Sequence, residues 1–171
     1  NRIQSFSNLK GNLTDKDYYE SVEIINDLKM YEVTSSVERN IVLIFRDVNL
    51  VITANGATDI KTYFETNYTG DPEKYKEWLK AFDNNQSEYY NPFSYVNEMG
   101  NKKNKIEYIR ALSRRNPREL NSCAIVSIDS NMMFNGIDSS YPTYILDQND
   151  NIVLSTKEGN SFIKRSEKNR K

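Results

Sequence analysis

The sequence predicts an α+β domain built on an antiparallel sheet of five to six strands. Three observations lead there. Apolar residues recur at helical spacing up to about residue 35, whereas β-branched and aromatic runs dominate after residue 40. The later runs follow one another without helical crossovers, which parallel strands would require. A chain of 171 residues is also long enough for one core, since a domain of ~150 residues buries ~70% of its unfolded surface.

The first element is a long helix over residues 1 to about 35. Ile3, Phe6, Leu9 and Leu13 share one stripe, which Tyr18, Val22, Ile25 and Leu28 continue. Gly11 interrupts it, and Thr14 with Asp17 forms a capping-box pattern that starts or restarts a helix. Asp15, Lys16, Asp17, Glu20 and Asp27 are expected on its solvated face. Ile41–Phe45 and Leu50–Thr53, parted by Arg46–Asn49, read as a hairpin or one bent strand, and Asn55-Gly56 is a turn signal. Residues 58 to 68 suit a helix begun by Thr58 and Asp59, with Ile60, Tyr63 and Phe64 on one face. Gly70 ends it. Asp71-Pro72 opens another helix, whose apolar stripe is Tyr75, Trp78, Leu79 and Phe82. From Asp83 to Lys105 the chain reads as an irregular polar loop carrying an aromatic cluster, Tyr89, Tyr90, Phe93 and Tyr95. Strands are then expected at Ile106–Leu112 and Ala124–Ile128, with a helical turn at Ser130–Met133. A closing hairpin, Tyr144–Leu146 with Ile152–Leu154, follows. The division expected is a leading helix over 1–35, a module over 36–158 and a polar tail over 159–171. A chain that begins at Asn rather than Met is expected to be a piece of something longer.

Composition excludes several function classes. With no histidine, imidazole-based triads, His-ligated zinc and a histidine pH switch are unavailable. One cysteine, Cys123, rules out an intramolecular disulfide and a multi-thiolate metal cage. The net charge of −1 leaves no electrostatic footprint for nucleic acid, and the basic run Lys164–Lys171 is a short tail. Six scattered glycines form no phosphate-binding fingerprint, so no cofactor is implied. Asn-x-Ser/Thr at Asn12, Asn67 and Asn85 is expected by chance in so Asn-rich a chain.

Carboxylates are plentiful. Asp47, Asp129, Asp138 and Asp147 lie at strand ends, where a hydrolytic pair would converge, but each also sits at an expected turn, which Asp favours. Cys123 lies in the apolar run Ser122–Val126 and reads as a small buried hydrophobe. Two features point to binding. Tyr75-Lys76-Glu77-Trp78 puts a cation beside aromatic rings, a pattern that holds small anionic or zwitterionic ligands, although core packing of Trp78 is the commoner outcome. In Ile106–Arg110, Tyr108 and Arg110 share one face against Glu107 and Ala111. If that face is inward, the guanidinium needs an anionic partner; the alternative places Arg110 outward or at a rim.

The order of these elements resembles the extracytoplasmic Cache sensor domains of bacterial transmembrane receptors, a PAS-like family. The resemblance is carried by the leading helix, by residues 41–56 (IVLIFRDVNLVITANG), by the strand pair 106–112 and 123–129, and by the closing hairpin 143–155. The pattern is similar to sensors fused to AraC-type DNA-binding domains and to those of histidine kinases. It implies helices packed around the sheet, a small-molecule pocket between sheet and loops, and a leading helix that descends to a membrane span. Amino-acid-binding members carry an aromatic and arginine pair on a helix with a later Tyr and Asp. Lys76-x-Trp78 is similar to that pair, and Asp129 is the candidate fourth member. The ligand contacts so expected are Lys76, Trp78, Tyr95, Tyr108, Arg110 and Asp129. The function implied is ligand sensing on the extracytoplasmic face of the bacterial plasma membrane, without catalysis. Its partners would be a small molecule, the membrane through flanking segments, and a second copy in the full receptor, with no nucleic acid contacted by this domain. The alternatives are a carboxylate-based glycoside hydrolase fragment and a protein-binding surface module.

Overall fold

The computed structural model describes residues 2–7, 9, 11–34, 39–68, 76, 87–96, 102–116, 119–129, 133–134, 136–137, 140–146 and 152–156. The helix expected from Asp71 lies outside them except for Lys76, as does the turn at Ser130–Met133 except for Met133; the 159–171 tail lies wholly outside.

The stretch expected as one long helix is two, α1 (Arg2–Ser7) and α2 (Asp15–Thr34). Gly11, between the two helices, takes φ +82°, a left-handed value that disfavours side chains. Thr14 then restarts the helix. Its N–H and Oγ1 donate to Asp17 Oδ2 at 2.7 and 2.6 Å, and Asp17 N–H donates back to Thr14 Oγ1 at 3.4 Å. The restart sets which face of α2 turns inward. Asp17, Ser21, Ile24 and Leu28 are buried, whereas Tyr18 and Val22 of the expected stripe are exposed. Of the expected stripe Leu28 enters the core and Ile25 packs against it, so the periodicity found only part of the inner face.

Strand β1 (Arg39–Phe45) pairs antiparallel with β2 (Leu50–Thr53), so the hairpin reading holds over the bent strand. Their turn closes through Asn49, which sits at φ 51° and donates its N–H to Arg46 O at 3.1 Å. Asparagine tolerates that conformation better than most residues. β3 (Gly56–Thr58) returns along β2, with Thr53 opposite Gly56, so Ala54 and Asn55 make the two-residue loop. Helix α3 (Ile60–Asn67) begins as expected, with the Asp59 side chain accepting from Thr62 N–H at 3.0 Å.

The polar loop expected from Asp83 to Lys105 is corrected. Residues 88–96 form β4 (Glu88–Val96), and β5 (Lys102–Asn116) begins well before Ile106. β4 pairs only with β5, at the edge of the sheet, and an edge strand tolerates the proline (Pro92) that breaks its sequence signal. β6 (Glu119–Asp129) completes a six-stranded sheet of order β3-β2-β1-β6-β5-β4, antiparallel throughout. The closing hairpin, β7 (Tyr144–Leu146) and β8 (Ile152–Ser155), forms as expected but in a two-stranded sheet of its own.

Both faces of the sheet are covered. Val42, Ile44, Val51, Ile109, Cys123 and Ile125 meet Tyr63, Phe64 and Tyr68 at α3. On the opposite face Leu43, Phe45, Leu50 and Ile52 meet Phe6 of α1 and Ile24 and Leu28 of α2. That is why residues 41–45 are apolar without alternation: each side chain has a layer to enter. Val153 and Leu154 of β8 stand on Ile106, near the β4 edge.

Candidate functional site

Strand β5 carries different chemistry on its two faces. On the α3 face lies Glu107, only 4% exposed. Tyr68, 2% exposed at the end of α3, donates its hydroxyl to Glu107 Oε1 at 2.5 Å. Tyr63 adjoins it, with ring centroids 6.2 Å apart and a hydrogen bond between the two phenols. Burial, then the neighbouring Glu107 charge, pushes both phenols well above their ordinary range. Ser127, buried on β6, is the register partner of Glu107. This is a polar knot within an apolar layer, and it ties the centre of β5 to α3.

The opposite face of β5 is more open. Tyr108 is half-buried and Arg110 exposed, so they do share a face, and Arg110 takes the outward of the two placements the sequence allowed. The register sets Tyr90 opposite Tyr108 and Glu88 opposite Arg110. The two rings lie 5.2 Å apart at 42°. Tyr108 is hydrogen-bonded to Glu88, and partial desolvation followed by that carboxylate raises its pKa, with Arg110 opposing. On this side Ile106 is roofed by β8 and Ala124 packs among the residues beneath α1 and α2. α1 also lies against β5. Tyr108 and Arg110 thus share the more open face with Tyr90 and Glu88: two phenols, one guanidinium and one carboxylate.

Of the other expected contacts, Lys76 is helical and exposed. Trp78 lies outside the described residues. Tyr95 is placed on β4 opposite Lys103, and Asp129 ends β6 opposite Lys105. The structure thus brings together Tyr108 and Arg110 and adds Glu88 and Tyr90. Strand alternation signals Tyr90 and Glu88 once β4 is recognised as a strand; Glu107 carries no such signal, because a carboxylate in a strand ordinarily faces water.

Cys123 is buried, and desolvation pushes its thiol up to about 12, so the reactive thiolate is scarce at neutral pH. Asp47 sits in the β1–β2 turn, and Asp138 and Asp147 lie outside the described residues. Among the described residues no group of three or more acidic or cysteine side chains is placed to hold a metal ion. No protein-family model and no curated protein matches the chain.

Proposed function

We propose that this chain is a ligand-sensing domain of a membrane-bound signal transduction or transcription regulator, PAS-like in architecture, exposed on the extracytoplasmic side of a bacterial plasma membrane. It captures a small molecule without transforming it. The observation that carries this reading is the Tyr90–Tyr108–Arg110–Glu88 cluster on the open face of β5. A guanidinium recognises a carboxylate, Glu88 recognises an ammonium, and paired phenols cover an apolar body. The chemistry suits a zwitterionic or anionic metabolite. The six-stranded antiparallel sheet with helices on both faces agrees with the architecture that the resemblance implies.

A sensor needs two states of different ligand affinity rather than a reactive group. β5 suits that role: Tyr108 and Arg110 face the ligand, while Glu107, next to Tyr108 in the strand, holds Tyr68 of α3 on the other face. A ligand that draws on Arg110 would bias the packing of α3 and of the leading helices. Lys76, Trp78, Tyr95 and Asp129 remain candidate contacts, and the partners are the ligand, the membrane through flanking segments, and a second copy.

A thermal-shift screen against metabolites tests this. A binder should raise Tm by mass action, and Arg110→Ala, an exposed change, should abolish that rise while leaving the unliganded Tm unchanged. Substrate turnover without stabilisation, or an undiminished shift in Arg110→Ala, would refute the proposal.

A further inference from the structure

The hairpin between β2 and β3 carries a chemistry that ligand recognition does not use. Ala54 and Asn55 form its two-residue loop, and Gly56 opens β3. Ala54 is buried, so Asn55 is the side chain this loop presents to solvent. Gly56 takes φ +146°, a value side chains rarely adopt, and no atom lies within 4 Å of where a Cβ would stand. The main-chain nitrogen that follows Asn55 is therefore unscreened by any side chain on its own residue.

We propose that Asn55 is a site of spontaneous deamidation, with isoaspartate among its products. The Gly56 nitrogen attacks Asn55 Cγ and gives up its proton. The Cγ–Nδ2 bond breaks, and the amide leaves as ammonia carrying that proton. Water then opens the five-membered succinimide. Cleavage of the new bond to Cγ gives aspartate, whereas cleavage at the main-chain carbonyl gives isoaspartate, in which the chain runs through Cγ. Nothing is oxidised or reduced, and water is the one co-reactant.

The surroundings single out this asparagine. Asn49 Oδ1 accepts from Ile60 N–H at 3.4 Å, and Asn67 Nδ2 donates to Tyr63 O at 2.9 Å, so both side chains are anchored. Bulky residues, Leu50 and Tyr68, follow them. Asn55 is held through its main chain, whose N–H donates to Thr53 Oγ1 at 3.2 Å, while that hydroxyl donates to Gly56 O at 3.2 Å. Those bonds keep the loop closed, but β3 has only three residues and pairs with β2 alone at the sheet edge. Such an edge opens locally at small cost, which frees the dihedral angles that ring closure needs. Isoaspartate adds one carbon to the backbone of a loop whose length sets the register of Thr53 with Gly56 and of Ile52 with Ala57. β3 packs against α2 and runs into Asp59, the cap of α3, so the modification loosens a strand that serves both helices.

The test is incubation at mildly alkaline pH, which favours loss of the Gly56 amide proton. Peptide mapping by mass spectrometry should find the amide-to-acid mass gain at Asn55 at least about tenfold faster than at Asn49 and Asn67. The modified peptide should also accept a methyl group from S-adenosylmethionine through an isoaspartyl methyltransferase. Aged protein should melt a few degrees lower than fresh protein. Asn55→Gln, an exposed change that lengthens the side chain and disfavours ring closure, should keep its Tm; both proteins carry Asn135→Gln to remove the other Asn-Gly pair. Conversion at Asn55 no faster than at Asn49 and Asn67, a product that accepts no methyl group, or an equal loss of Tm in Asn55→Gln would each overturn the inference. None of these readouts involves ligand capture on β5, so this inference and the sensor reading fail separately.

Discussion

Tyr68→Phe isolates one interaction. The ring stays and keeps its contact with Phe64, at a centroid distance of 4.8 Å, while the hydroxyl that reaches Glu107 Oε1 is removed. Both partners are buried, so water cannot replace the lost donor without opening the core. A hydrogen bond to a carboxyl group in such a setting contributes about 1.5–3 kcal/mol. For a chain of this length each kcal/mol moves Tm by about 2–4 °C, so Tyr68→Phe should melt about 3–12 °C lower. Glu107→Gln weakens the same bond, and the double variant should cost less than the two single changes summed, with a coupling of about 1–2 kcal/mol. Urea unfolding of the four proteins measures this directly. If Tyr68→Phe unfolds within about 0.3 kcal/mol of the parent, inside the error of such comparisons, the polar knot contributes nothing to the fold and the argument for β5 as a link to α3 fails.

Other outcomes follow from the same structure. Phe64→Ala, a fully buried truncation between sheet and α3, should cost about 3–5 kcal/mol by denaturant unfolding. Stability should fall as pH rises above 9: Cys123, Tyr63 and Tyr68 are held protonated by the fold, whereas the unfolded chain releases those protons first. Cys123 alone loses its contribution progressively between 9 and about 12, and a thiol reagent should label it only after unfolding. On the acid side, hydrogen bonds from Thr14 hold Asp17 below the usual carboxylate range, so the stability they add is present above that range and lost as pH falls through it. Thr14→Ala should therefore lose less stability than the parent on acidification, as judged by Tm against pH.

Much of the architecture was legible because local chemistry and tertiary packing agree. The Thr14–Asp17 cap, the 41–53 hairpin, the Asp59 cap of α3 and the pairing of β7 with β8 all follow from short-range patterns that the fold left undisturbed. β4 was hidden because Asn91 and Pro92 break its strand signal, which only its edge position reconciles. The inner face of α2 was only partly legible: Ile25 and Leu28 of the expected stripe reach the core, but the capped Asp17, not Tyr18, goes inward. For the site, alternation paired Tyr108 with Arg110 correctly. Which side of β5 encloses its ionisable group depends on α3 and on the long-range contact of Tyr68 with Glu107, information that spacing within residues 106–110 does not contain.

The sensor account rests on recognition by the open face of β5, and the most direct measurement is an amide-resolved NMR titration with the strongest stabiliser found by thermal shift. The account predicts saturable shifts concentrated at Glu88, Tyr90, Tyr108 and Arg110, with a smaller response transmitted to Tyr68 of α3. Shifts confined elsewhere on the molecule, or chemical conversion of the added compound during the titration, would contradict it.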